Sequence, residues 1–132
     1  MIARSNGIVP FTPAADQTGK EGFFVEVNGT GVSVVNAATD IPLGVILEGR
    51  PTTGKSAIGL SDGGLAGTVK VKLSAAPGAV VLGSYLVLDG ATLGTAKLDP
   101  GAGGRTRVAR ALEAGAANEL IEAVLISPVA LT

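Results

Sequence analysis

Cysteine and histidine are both missing from this chain. Without thiols there is no disulfide framework, no thiolate metal site and no sulfur nucleophile. Without imidazole the commonest metal ligand is gone, as is the one side chain that ordinarily titrates near neutral pH, so most general acid and base mechanisms lose their usual actor. Tryptophan is absent too, and with only three Phe and one Tyr the core is left to Val, Leu, Ile and Ala. A surplus of either charge is lacking as well. Ten Lys and Arg face eleven Asp and Glu, for a net charge of −1, and they are scattered singly. Such a balance offers no basic field to a phosphate backbone, so no nucleic-acid partner is expected. Met1 to Pro10 carries Arg4 but no apolar core of a secretion signal, and the apolar run Ala79 to Leu82 is cut off by Gly83. Neither a leader nor a transmembrane helix is expected, and the chain should fold in a cytosol without a membrane partner.

What is present is turn-forming residues and short apolar runs. A length of 132 residues with 46% hydrophobic content suits one domain with its own core, while twenty Gly and seven Pro argue for short strands over long helices. Residues 1–21 hold Pro10, Pro13 and Gly19 and show no period of 2 or 3.6. They read as an extended N-terminal arm ahead of a single β domain at 22–132. Ile2, Ile8, Val9 and Phe11 are apolar groups in that arm and are the candidate partner-binding residues; the competing expectation is that they pair with the edge of the chain's own barrel.

From Gly22 the pattern becomes strand-like. Phe23, Val25 and Val27 are expected on one face, and Asn28-Gly29-Thr30-Gly31 makes a hairpin with Val32 to Val35. Leu43 to Leu47 and Ser56 to Leu60 are further short strands. Thr68 to Leu73 alternates cleanly, with Val69, Val71 and Leu73 toward the core and Lys70 and Lys72 toward water. Tyr85 to Leu88 and Leu93 to Lys97 form a second hairpin across Asp89-Gly90-Ala91-Thr92. Thr106 to Leu125 is ambiguous, because its Ala, Leu and Glu content favours helix. An internal repeat decides for strand. Gly22 to Gly29 matches Gly83 to Gly90, Leu43 to Gly49 is echoed by Arg107 to Gly115, and Ser56 to Leu60 by Leu120 to Val124. The expected fold is a small antiparallel β-barrel or sandwich with two pseudo-repeated halves, at about 22–60 and 83–125.

Two patterns carry apparent chemistry. Gly49-Arg50-Pro51-Thr52-Thr53-Gly54-Lys55-Ser56 satisfies the phosphate-loop spacing, with Lys55 and Ser56 at the phosphate and Mg²⁺ positions. That chemistry needs a following helix whose N–H groups converge on the phosphates, and Ala57 to Gly64 cannot sustain one. A hairpin loop is the expectation, with a nucleotide binder ranked last among the functions considered. Glu48 and Glu113 hold equivalent places in the two halves, yet no third group orients them as an acid and base pair, so no catalytic residue is assigned. Asp62, Asp89 and Asp99 each adjoin Gly or Pro and are expected to cap turns rather than bind a metal. No cofactor is expected. A carbohydrate-binding or accessory β-domain is the runner-up, disfavoured because Tyr85 lies inside an apolar strand and the Phe residues fall in the arm or first strand.

Gly67-Thr68-Val69-Lys70-Val71-Lys72-Leu73, Pro77-Gly78-Ala79-Val80-Val81-Leu82-Gly83 and Val108-Ala109-Arg110-Ala111-Leu112-Glu113-Ala114-Gly115-Ala116-Ala117 succeed one another as do a G-x-V-x-V strand, a Gly-Ala turn and a V-A-x-A-L-E-A-G-A-A run. In this order they resemble the capsid-cement, or head-decoration, proteins of tailed bacteriophages, over residues 43–126. The resemblance implies a non-enzymatic structural protein that clips onto the outer surface of an assembled icosahedral shell, often as a trimer, and reinforces joints between major capsid protein subunits. Its location would be the virion, after synthesis in the host cytoplasm. The longer N-terminal region departs from the shortest members, and the family has no invariant chemical motif to carry over.

Overall fold

The computed structural model describes residues 7–62 and 67–132. Ile2 lies outside the described residues. Among the described residues, ten strands make up the regular structure. The first five are β1 (Ile8–Phe11), β2 (Phe24–Asn28), β3 (Gly31–Val34), β4 (Gly44–Glu48) and β5 (Ser56–Leu60). The second five are β6 (Val69–Lys72), β7 (Tyr85–Leu88), β8 (Ala96–Leu98), β9 (Arg105–Ala111) and β10 (Leu120–Leu131). They form two five-stranded sheets, ordered β1-β5-β4-β2-β3 and β6-β10-β9-β7-β8, with every strand pair antiparallel. One sheet is curled into a half-barrel.

The two orders are the same once five is added to each strand number, so the repeat is real and larger than the sequence suggests. It spans five strands per half, with β1 and β6 as the added members. Even an irregular detail recurs. The segment after β1 bridges in parallel to β3 through Pro13 and Val32, and the segment after β6 bridges in parallel to β8 through Leu73 and Ala96. The Ala14 N–H donates to the Val32 carbonyl at 2.8 Å, and the Ser74 N–H to the Ala96 carbonyl at 2.9 Å. In each half the chain leaves one sheet edge and returns along the other, covering strand edges that would otherwise invite pairing.

The sequence placed no regular element in residues 1–21, whereas Ile8 to Phe11 form β1, paired with β5 from Ile8 opposite Gly59 to Phe11 opposite Ser56. Proline is tolerated because β1 is an edge strand, where the N–H that Pro10 lacks has no ladder partner to supply. The segment beyond is fixed as well: Gln17 is buried, its N–H donates to the Arg50 carbonyl at 3.0 Å and its Nε2 to the Val32 carbonyl at 3.1 Å. Thr106 to Leu125 is strand, as the repeat required: β9 and β10 pair across a turn in which Asn118 takes a φ of 63°. Local helix propensity is outweighed there by cross-strand burial of Val108, Ala109, Ala111, Ile121 and Ala123.

Two cores result. One lies inside the first half, where Val25, Val32, Ile46 and Ile58 are buried and Phe11, Phe23 and Leu60 pack against them. The other fills the second half and takes in Phe24, Val35 and Val45 from the first. Strand β2 therefore buries both faces: Val25 joins the core of its own half and Phe24 that of the other, while Val27, on the same face as Val25, is 71% exposed. Backbone bonds join the halves, with the Lys72 N–H on the Gly22 carbonyl at 3.0 Å and the Phe24 N–H on the Gly94 carbonyl at 2.8 Å. Gly22 is required at this seam. Its φ is +86°, and a Cβ there would stand 2.8 Å from the Lys72 nitrogen.

Candidate functional site

The phosphate-loop lookalike is the connection of a hairpin. Strands β4 and β5 run antiparallel on either side of it, and three of its N–H groups are already engaged: the Gly49 N–H on a Glu21 carboxylate oxygen at 2.8 Å, the Arg50 N–H on Ser56 Oγ at 3.0 Å, and the Gly54 N–H on the Pro51 carbonyl at 2.9 Å. Lys55 Nζ donates to Thr12 Oγ1 at 2.6 Å, tying the loop to the N-terminal segment. Glu48 pairs with Arg50, and Glu113 sits exposed beyond the end of β9. Asp89 and Asp99 cap turns as expected, accepting the N–H of Ala91 at 3.0 Å and of Gly101 at 2.9 Å; Asp62 accepts from Ser127 Oγ at 2.5 Å, and the turn that follows it lies outside the described residues. Among the described residues no cluster of three or more Asp or Glu is placed to hold a metal ion, and no helix is long and apolar enough to cross a membrane. Of the arm residues, Ile8, Val9 and Phe11 are half-buried on their own sheet.

Sequence reasoning missed a surface on the second half. Tyr85, read as an interior residue, is 39% exposed, because β7 buries both faces only from Leu86 to Leu88. Its ring engages two guanidinium groups, Arg107 at 4.3 Å and Arg110 at 5.1 Å from the ring centre. Arg110 is held by donating from Nε to the Gly83 carbonyl at 3.1 Å. Just before Gly83, Val81 and Leu82 project from a tight turn, closed by Ser84 N–H on the Val81 carbonyl and Val81 N–H on Ser84 Oγ, each at 3.0 Å; Leu82 is 70% exposed. The Gly83 N–H donates to the Ala111 carbonyl at 2.8 Å, which sets this turn beside the exposed Leu112. The result is one patch of Val, Leu, Tyr and Arg on a rigid support, and its Tyr and Arg are residue types enriched at the centres of protein interfaces.

Asp99 fixes the arginine side of the patch. It lies almost buried against Arg105 and Arg107, with Arg107 Nη2 donating to Oδ2 at 2.6 Å. Burial alone would raise its pKa, but hydrogen bonds from Arg107, the Gly101 N–H and Arg105, together with the Arg105 charge, lower it from 3.8 to about 2. The folded state thus binds this proton less readily than the unfolded one. Its stabilising contribution is complete above the unfolded value and is lost as pH falls from about 4 through about 2. Asp99→Asn should therefore melt well below the native chain at pH 7, with the gap closing across that window; thermal melts of both at stepped pH check it.

These features define an all-β protein of two like halves that carries a Tyr, Arg and Leu patch beside a tight apolar turn. No protein-family model matches the chain, and no curated protein matches it.

Proposed function

We propose that this chain is a structural virion protein that sits on the outer surface of an assembled tailed-phage capsid and reinforces joints between major capsid protein subunits, with no catalytic step or cofactor of its own. The observation that carries this reading is the exposed patch formed by Val81, Leu82, Tyr85, Arg107, Arg110 and Leu112. Apolar side chains held on a tight turn carry little ordering cost when covered, and flanking arginines supply hydrogen-bonding direction. The sequence likeness to capsid-cement proteins in Gly67 to Leu73 and Val108 to Ala117 supports the same reading. On a lattice, many modest contacts act together, so a small patch per copy suffices.

The protein acts as a homo-oligomer, most simply a trimer. Strand β10 supports this: β6 pairs with it only up to Ala123, so among the described residues Val124, Leu125 and Val129 to Leu131, on either side of a bulge, have a strand partner on the β9 side alone. A second copy covers such an edge, and Pro128 limits how far pairing runs. The chain is made in the host cytoplasm and ends on the virion. The test is to incubate purified undecorated shells with the chain and recover them by sedimentation. Saturable binding at a fixed ratio to the major capsid protein is expected; a chain that stays in the supernatant at tens of micromolar overturns the proposal.

A further inference from the structure

The first half carries a second candidate interface, a groove of about 580 Å³ at the open end of its barrel. It exists because a β ladder stops early. Strands β2 and β4 pair only at Phe24 with Val45 and Val25 with Gly44, closed by the Leu43 N–H on the Val25 carbonyl at 2.8 Å. Beyond Val25 the ladder goes no further, and the segment leading into β4 carries Pro42, which has no N–H to give. On its other side Val27 faces Val32, whose N–H and carbonyl are both spent on the N-terminal segment, through Thr12 at 2.9 Å and Ala14 at 2.8 Å. By the alternation of antiparallel ladders, the Val27 N–H and carbonyl therefore point into the groove, and no partner reaches them among the described residues.

The groove's chemistry is two-sided. Exposed Val27 and Ile41, with Leu43 and Leu60, give it an apolar floor, while Glu26 and Asp62 line it with carboxylates. Asp40 stands beside Glu26, whose carboxyl is pushed above its ordinary value, first by burial and then by this neighbour. Among the described residues no cation forms an ion pair with Glu26, Asp40 or Asp62. A free backbone donor and acceptor, an apolar floor and uncompensated negative charge together describe what would fill the site.

We infer that this groove accepts an extended segment of another protein, added as a short strand against Val27, with an apolar side chain on Ile41 and Leu60 and a Lys or Arg beside Glu26 and Asp62. Strand addition supplies main-chain bonds at Val27, and the alternate side chains supply selectivity. This site is separate from the patch around Tyr85, and its occupant need not be a capsid protein.

The test is a titration of the ¹⁵N-labelled full chain with the peptide acetyl-Thr-Val-Arg-Val-Thr-amide, followed by amide chemical shifts. Saturable shifts centred on Val27, Ile41 and Leu60 are expected, with affinity at least tenfold weaker when the peptide's Arg is Glu and lost when its valines are N-methylated. Glu26→Gln combined with Asp62→Asn should weaken binding of the Arg peptide several-fold and leave the Glu peptide unimpaired. Shifts centred elsewhere, or equal affinity for the Arg and Glu peptides, overturn the inference. A tenfold gain in affinity in the full chain carrying Ile2→Ser and Arg4→Ser overturns it too, because the groove would then hold the chain's own first residues.

Discussion

A chain beginning at Gly22 should lose cooperative unfolding of its first half or melt at least about 20 °C lower, a drop that corresponds to roughly 5 kcal/mol or more in a domain of this size. Residues 7–21 contribute to both ends of the curled sheet. Removing β1 strips β5 of its outer neighbour and uncovers Ile58; removing Thr12 and Ala14 leaves the Val32 N–H and carbonyl without partners. The burial of Phe11, Pro13 and Gln17 is lost at the same time. Each apolar side chain contributes on the order of 1.5–3 kcal/mol when fully buried, and opening the barrel exposes several at once. Differential scanning calorimetry of the two chains decides the matter. A melting temperature within a few degrees of native would mean the segment is an appendage rather than part of the fold.

Gly44→Ala should cost about 3 kcal/mol, the upper part of the range for overpacking, and lower the melting temperature by about 10 °C. Gly44 sits between β2 and β5, and a Cβ there would lie 2.1 Å from the Gly59 carbonyl oxygen and 3.1 Å from Ile58 Cγ2. Main-chain oxygen cannot swing aside as a side chain can, so β4 and β5 must part where their ladder is tightest. A melt unchanged within about 1 kcal/mol, an ordinary surface-substitution effect, would show that the strands absorb the methyl group freely.

Much of this fold is legible in the sequence, for identifiable reasons. The alternation in Val69 to Lys72 marks a strand with one wet face, and the Asn28-Gly29 and Asp89-Gly90 turns mark hairpins. The repeat overrides the helix propensity of Thr106 to Leu125 because only strands satisfy both copies. Strand β1 was hidden because two prolines suppress strand signals that an edge position tolerates, and its counterpart β6 shares no residue pattern with it. Tyr85 was misplaced because apolar residues crowd both faces of β7, so alternation carries no information there. The groove at Val27 is illegible in one dimension. It depends on where the β2–β4 ladder stops, and that is set by contacts distant in sequence.

We propose that the patch around Leu82 fastens this chain to a capsid. The most direct measurement is electron microscopy of undecorated shells incubated with the native chain and, in parallel, with Leu82→Asp, whose exposed position leaves the fold and its melting temperature intact. The account predicts ordered density on the outer surface for the native chain, in fixed number per capsomer, and bare shells for the variant. Bare shells with both chains, or equal decoration by both, would contradict it.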